Sequence, residues 1–98
     1  MLTKKEALEL VSRELQSRSS PQELWVVIDK QTIERSFGWV FFYESKAFLE
    51  TGLFRDRLFG NGPVIVNKAS GAVEFYGSGD LPEDIIKVYE IKLTKAEK

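Results

Sequence analysis

The sequence predicts an α+β fold: a small antiparallel sheet of about four strands, with N- and C-terminal helices packed on one of its faces. Three observations lead there. Residues 3–17 and the stretch after Asp80 carry apolar residues at helical spacing. Gly38–Ser45 is an almost unbroken aromatic and β-branched run. The strand-like segments follow one another in sequence through mostly short links, which favours antiparallel pairing. The expected order is helix, strand, strand, short helix or loop, strand, strand, helix, in one domain spanning residues 1–98.

The first helix has a start signal. Thr3 and Glu6 form a T-x-x-E capping box, in which each side chain can satisfy the other's free backbone N–H. Leu8, Val11 and Leu15 then recur at helical spacing, with Ala7 and Leu10 beside them. The polar run Ser17-Arg18-Ser19-Ser20-Pro21 should end it. Leu24–Ile33 reads as the first strand, apolar on both faces in its first half and polar from Asp29 onward. Glu34–Phe37 should connect it to the second strand, Gly38–Ser45. There Trp39, Phe41 and Tyr43 face one way, and Val40, Phe42 and Glu44 the other. Both faces are apolar until Glu44, which marks a central strand.

Ser45–Gly52 predicts one or two helical turns with Gly52 as the stop. Leu53–Phe59 reads as a further turn or a packed loop pinned by Leu53, Phe54, Leu58 and Phe59. Pro63–Asn67 and Ala72–Tyr76 predict a hairpin around Lys68-Ala69-Ser70-Gly71, with Gly71 at the φ > 0 position. Asp80 and Glu83 suggest a second capping box, with Pro82 tolerated in the first turn. Ile85, Ile86, Tyr89 and Leu93 form a helical stripe, although Tyr89, Ile91 and Leu93 also alternate as a short strand would. Thr94–Lys98 should fray.

Composition narrows the function. A net charge of −1 gives no general attraction to nucleic acid or anionic membranes. No apolar run approaches the roughly 20 residues of a spanning helix, and the polar start leaves no secretory signal core. A cytoplasmic location is expected. With no cysteine and no histidine, disulfides, thiolate metal sites and a Ser–His triad are excluded. No metal or cofactor is expected, and the chain is not expected to be an enzyme.

Several clusters still invite a functional reading. Gly60-Asn61-Gly62-Pro63 lacks the length, Lys and following helix of a phosphate loop, and reads as a shaping turn. Arg55, Asp56 and Arg57 form a surface ion cluster or a polar contact patch on a loop. Asp29, Glu34 and Glu44 read as solvated strand ends; Glu34 and Glu44 could meet across a hairpin, or the three could form an acidic face for a basic partner. Trp39 reads as core, while Trp25 is equally suited to an interface.

At Gly38-Trp39-Val40-Phe41-Phe42-Tyr43-Glu44-Ser45-Lys46 and Gly60-Asn61-Gly62-Pro63-Val64-Ile65-Val66 the sequence resembles the YrhB-like domain, also called the immunity protein 35 family. Phe48-Leu49-Glu50-Thr51-Gly52 and the Ser70-Gly71 turn fit as well. The resemblance covers nearly the whole chain. It implies a small bacterial α+β protein that supplies immunity in polymorphic toxin systems; one branch is linked with chaperone-like behaviour. It brings no catalytic residues, and its GW and GNGP positions look structural.

What the resemblance implies is a steric mechanism: the domain sits on a cognate toxin and blocks it. The expected contact surface is the middle loop, Glu50, Arg55, Asp56, Arg57 and Asn61. The rival surface is the acidic set Asp29, Glu34 and Glu44. A holdase chaperone is the competing function, and a small enzyme or ligand-binding domain ranks third.

Overall fold

The computed structural model describes residues 1–96. Helix α1 (Lys4–Arg18) is followed by strand β1 (Trp25–Val27), a 3-10 turn at Asp29–Gln31, β2 (Ile33–Arg35), β3 (Gly38–Phe41) and β4 (Tyr43–Ser45). Helix α2 (Lys46–Thr51) and a 3-10 turn at Phe54–Asp56 lead to the hairpin β5 (Asn61–Asn67) and β6 (Val73–Gly77), then to helix α3 (Pro82–Ala96). All strand pairs are antiparallel, as expected. A four-stranded sheet has the order β2-β3-β5-β6, and β1 pairs with β4 separately.

Two strands expected to be continuous are each broken. Val27 pairs with Tyr43 and Ile33 with Val40, so one arm carries three more residues than the other. The excess is the 3-10 turn Asp29–Gln31. Trp25–Ser45 is therefore one long hairpin with a large bulge, and the ladder bends there. Part of the expected connection, Glu34 and Arg35, belongs to β2.

The central strands decide the layering. Trp39, Phe41, Val64 and Val66 point to one face, where they meet Ala7, Val11 and Leu15 of α1. Val40 and Ile65 point to the other, where they meet Ile85, Ile86 and Tyr89 of α3 and Phe37. The helices therefore cover opposite faces and make three layers, which corrects the expectation of one shared face. The physical reason is the composition of β3 and β5, which present large apolar side chains on both sides. Each such side chain contributes about 1.5–3 kcal/mol when removed from water, so neither face can be left open.

The helix ends follow the local chemistry. The Thr3–Glu6 box forms, with Thr3 N–H donating to Glu6 Oε1 at 2.9 Å and Glu6 N–H to Thr3 Oγ1 at 3.2 Å. Gly52 closes α2 in the left-handed conformation, φ 70°. The second expected box does not form. Helix α3 begins at Pro82, which places Leu81 at the cap; its carbonyl accepts the N–H groups of Asp84 and Ile85. Residues 89–94 are helical rather than a strand, and Tyr89 packs into the core from the same face of α3 as Ile85 and Ile86. The helix continues through Ala96 instead of fraying from Thr94, and Glu97 and Lys98 lie outside the described residues.

Two glycines are dictated by close approach. A Cβ on Gly38 would lie 2.0 Å from the Val66 carbonyl oxygen, and one on Gly62 would lie 2.1 Å from that of Gly77. Gly62 and Pro63 sit where the β5–β6 register shifts, between the Asn61 and Val64 pairs. The bulge accepts a proline that a regular ladder would not.

Gly38→Ala and Gly62→Ala should each lower unfolding free energy by about 1–3 kcal/mol or more, through forced backbone displacement. Gly79→Ala, with open space around it, should be near neutral in the same urea titration. Acceptance from the Thr3 backbone N–H, with a smaller contribution from the Thr3 hydroxyl, holds the Glu6 carboxyl below its ordinary range. Its stabilisation is thus complete above the ordinary glutamate pKa and is lost as pH falls through the lowered folded value. The stability gap between wild type and Glu6→Gln, followed by thermal melts, should close on acidification in that window.

Candidate interaction surface

The segment from Lys46 to Gly60 leaves the sheet at the end of β4 and returns at β5, and short polar side chains fasten it. Glu44, although only 7% exposed, keeps its carboxylate satisfied. Oε2 accepts the Leu58 N–H at 2.7 Å and the Ser45 N–H at 2.8 Å, and Arg57 Nε lies 3.9 Å from Oε1. Such acceptance from backbone amides is what makes a buried carboxylate tolerable. The Ser45 hydroxyl donates to the Asp56 carbonyl and accepts the Phe48 N–H at 3.0 Å, capping α2. The Thr51 hydroxyl reaches Asp56 Oδ2 at 2.7 Å. Asn61 Nδ2 donates to the Tyr43 carbonyl at 2.8 Å, bridging the point where β4 separates from β5.

These contacts redistribute the expected site residues. Asp56, Arg57 and Asn61 belong to the fastening and are not simply a contact patch. Glu50 and Arg55 are exposed and form no side-chain hydrogen bond or ion pair with another described residue. The acidic set does not assemble. Asp29 is 3.6 Å from Lys4 Nζ, Glu34 Oε2 accepts from Trp39 Nε1 at 3.3 Å, and Glu44 is interior. Glu34 pairs opposite Trp39 and Glu44 opposite Val26, so the two acids never meet across one hairpin. Glu44 is not a solvated strand end, because the returning segment folds over it.

The segment's outer side is apolar. Phe54 and Phe59 are 68% and 71% exposed, and their rings meet edge to face at 5.4 Å. Leu49 and Leu53 are also exposed. Of the four residues expected to pin this loop, only Leu58 packs against the core. Sequence reasoning missed these rings as surface groups because apolar residues in a loop read equally as inward anchors. The available signal was their density beside Gly52 and Gly60, more than one short loop could bury. Next to them, Trp25 stacks on Tyr43 at 5.7 Å and donates Nε1–H to Glu23 at 2.9 Å. Burial pushes the Tyr43 phenol above its usual range, opposed by the charge of Arg18. Trp39 is core, as expected.

A shallow groove bordered by Tyr43, Glu44, Phe48, Leu49, Arg57 and Asn61 opens between this segment and the 3-10 turn at Asp29–Gln31. No group of three or more His, Cys, Asp or Glu side chains that could hold a metal occurs among the described residues. No helix among them is long and apolar enough to cross a membrane. The chemistry on display is that of contact: aromatic rings, aliphatic side chains and two free charges on a fastened backbone.

The family described as immunity protein 35 matches residues 5–83, and the chain belongs to it. The uncharacterized protein YrhB of Escherichia coli (strain K12) is 44% identical over 57 residues, covering 58% of this chain and 61% of that protein. The match thus spans less than two thirds of its relative's length. No solved structure matches the chain.

Glu44→Ala should strip the Leu58 and Ser45 amides of their acceptor and cost about 1–3 kcal/mol. Faster amide exchange and protease cleavage between residues 52 and 60 should accompany it. Glu50→Ala and Arg55→Ala should stay within about 0.5 kcal/mol of wild type and leave the cleavage pattern unchanged.

Proposed function

We propose, taking membership of the immunity protein 35 family as the premise, that this chain is a non-catalytic immunity protein that binds a cognate bacterial toxin and blocks it sterically. The observation that carries this reading is the pair of exposed rings, Phe54 and Phe59, on a segment fastened through Glu44, Ser45 and Asp56. Rings that are already ordered lose little freedom on binding, and exposed aromatics on a rigid support are the usual energetic centre of a protein interface. Leu49 and Leu53 widen the apolar centre, and Glu50 and Arg55 supply a charged rim that selects the partner. Asp56, Arg57 and Asn61 act indirectly, by holding the segment in shape. In this reading the protein works in the cytoplasm of the toxin-producing cell, as a stoichiometric plug for a polymorphic toxin.

The exposed rings also suit the second reading, a chaperone-like holdase, because such proteins keep apolar surface available to unfolded clients. The two differ in selectivity. An immunity protein captures one folded partner at fixed stoichiometry; a holdase suppresses aggregation of unrelated proteins.

The test is capture of the partner from the native host by tagged wild-type protein, followed by titration of the identified toxin against variants. Phe54→Asp and Phe59→Asp should each weaken binding about 30-fold or more, the range of about 2 kcal/mol and above seen at interface hot spots. Asp29→Lys and Glu34→Lys should alter affinity little. Full affinity in both Phe variants would remove the middle segment from the interface. Protection of unrelated aggregating proteins, with no single partner captured, would replace immunity by the chaperone reading.

A further inference from the structure

Helix α3 has a second apolar face that its own fold does not use. Ile85, Ile86 and Tyr89 point into the core. On the adjoining face, Leu81, Val88 and Ile91 are 68%, 60% and 52% exposed. Their spacing of seven and three residues puts them in one stripe along the helix, together with Asp84 and Lys95. Leu81 to Lys95 is about 21 Å of helix at about 1.5 Å per residue.

Charge along this face is arranged by sign. Asp84 lies toward its N-terminal end, and Lys92 and Lys95 toward its C-terminal end, while Glu83, Lys87 and Glu90 project from other sides of the helix. Lys92 also lies 3.7 Å from Glu74 of β6, so it stands at the border of the face. A two-fold axis beside Val88 would run two such helices antiparallel. Val88 would then meet its own copy, flanked by Leu81 and Ile91, and Asp84 would lie toward Lys92 and Lys95 of the second chain. Parallel pairing would instead stack acid on acid and lysine on lysine. The face is therefore complementary to itself in one orientation only, which is the requirement of an isologous interface.

We infer that α3 is a homodimerisation surface, with a second copy of this chain packed antiparallel across Val88. The inference goes beyond the immunity reading and shares no residue with the middle segment. Aromatic content is low and the patch is small, so the dimer forms weakly and in a concentration-dependent way.

Sedimentation equilibrium of the purified full chain, from micromolar to millimolar concentration, tests it. The wild type should shift from monomer to dimer. Val88→Asp, at an exposed position, should remain monomeric with its circular-dichroism spectrum unchanged. Asp84→Lys should weaken association at least 10-fold, and adding Lys95→Asp should restore part of the loss by reversing the complementary pair. A wild type that stays monomeric throughout, or a dimer that Val88→Asp leaves intact, would overturn the inference. So would equal loss in the single and double charge variants.

Discussion

The fold depends on one constraint: strands β3 and β5 carry large apolar side chains on both faces. Val40 and Ile65 are as completely buried as Phe41, Val64 and Val66, although the two sets point in opposite directions. A sheet with this composition cannot present one face to water, so it needs two covers. The chain supplies them from its two ends. Helix α1 closes one side through Ala7, Val11 and Leu15, and α3 closes the other through Ile85, Ile86 and Tyr89. The close contacts at Gly38 and Gly62 follow from the same demand, because strands buried on both faces leave no room to shift a neighbouring backbone.

With the sheet closed above and below, the remaining irregular backbone emerges at its ends. The middle segment is such a stretch. Its backbone is held from beneath by a buried carboxylate, a serine hydroxyl and an asparagine amide, while its apolar side chains are turned outward. Polar groups inside and rings outside invert the usual partition. The inversion makes physical sense when the segment's backbone amides need acceptors that only the sheet end can offer. Once Glu44 and Ser45 fill that space, no interior volume remains for Phe54 and Phe59.

Much of the architecture was legible from local chemistry. The Thr3–Glu6 box, the Gly52 stop, the Gly71 turn and the two-faced run at Gly38–Ser45 are all effects of residues within a few positions of one another. The candidate surface was legible only as a region. Asp56, Arg57 and Asn61 were identified by their charge and loop position, but their partners are Ser45, Thr51, Glu44 and Tyr43. Glu44 read as solvated because carboxylates usually are; Leu58, which satisfies it, lies fourteen residues away.

The amino-acid order alone determined the α+β class, the helix boundaries near capping residues, the antiparallel hairpins and the family, since each rests on patterns shorter than one structural element or on motifs quoted directly. Tertiary structure decided the rest. Which face each helix covers, whether Glu44 is inside or outside, and which rings remain in water all depend on competition for a limited interior. Periodicity reveals that a side chain is apolar and which way it points; only the packed whole reveals whether space is left for it.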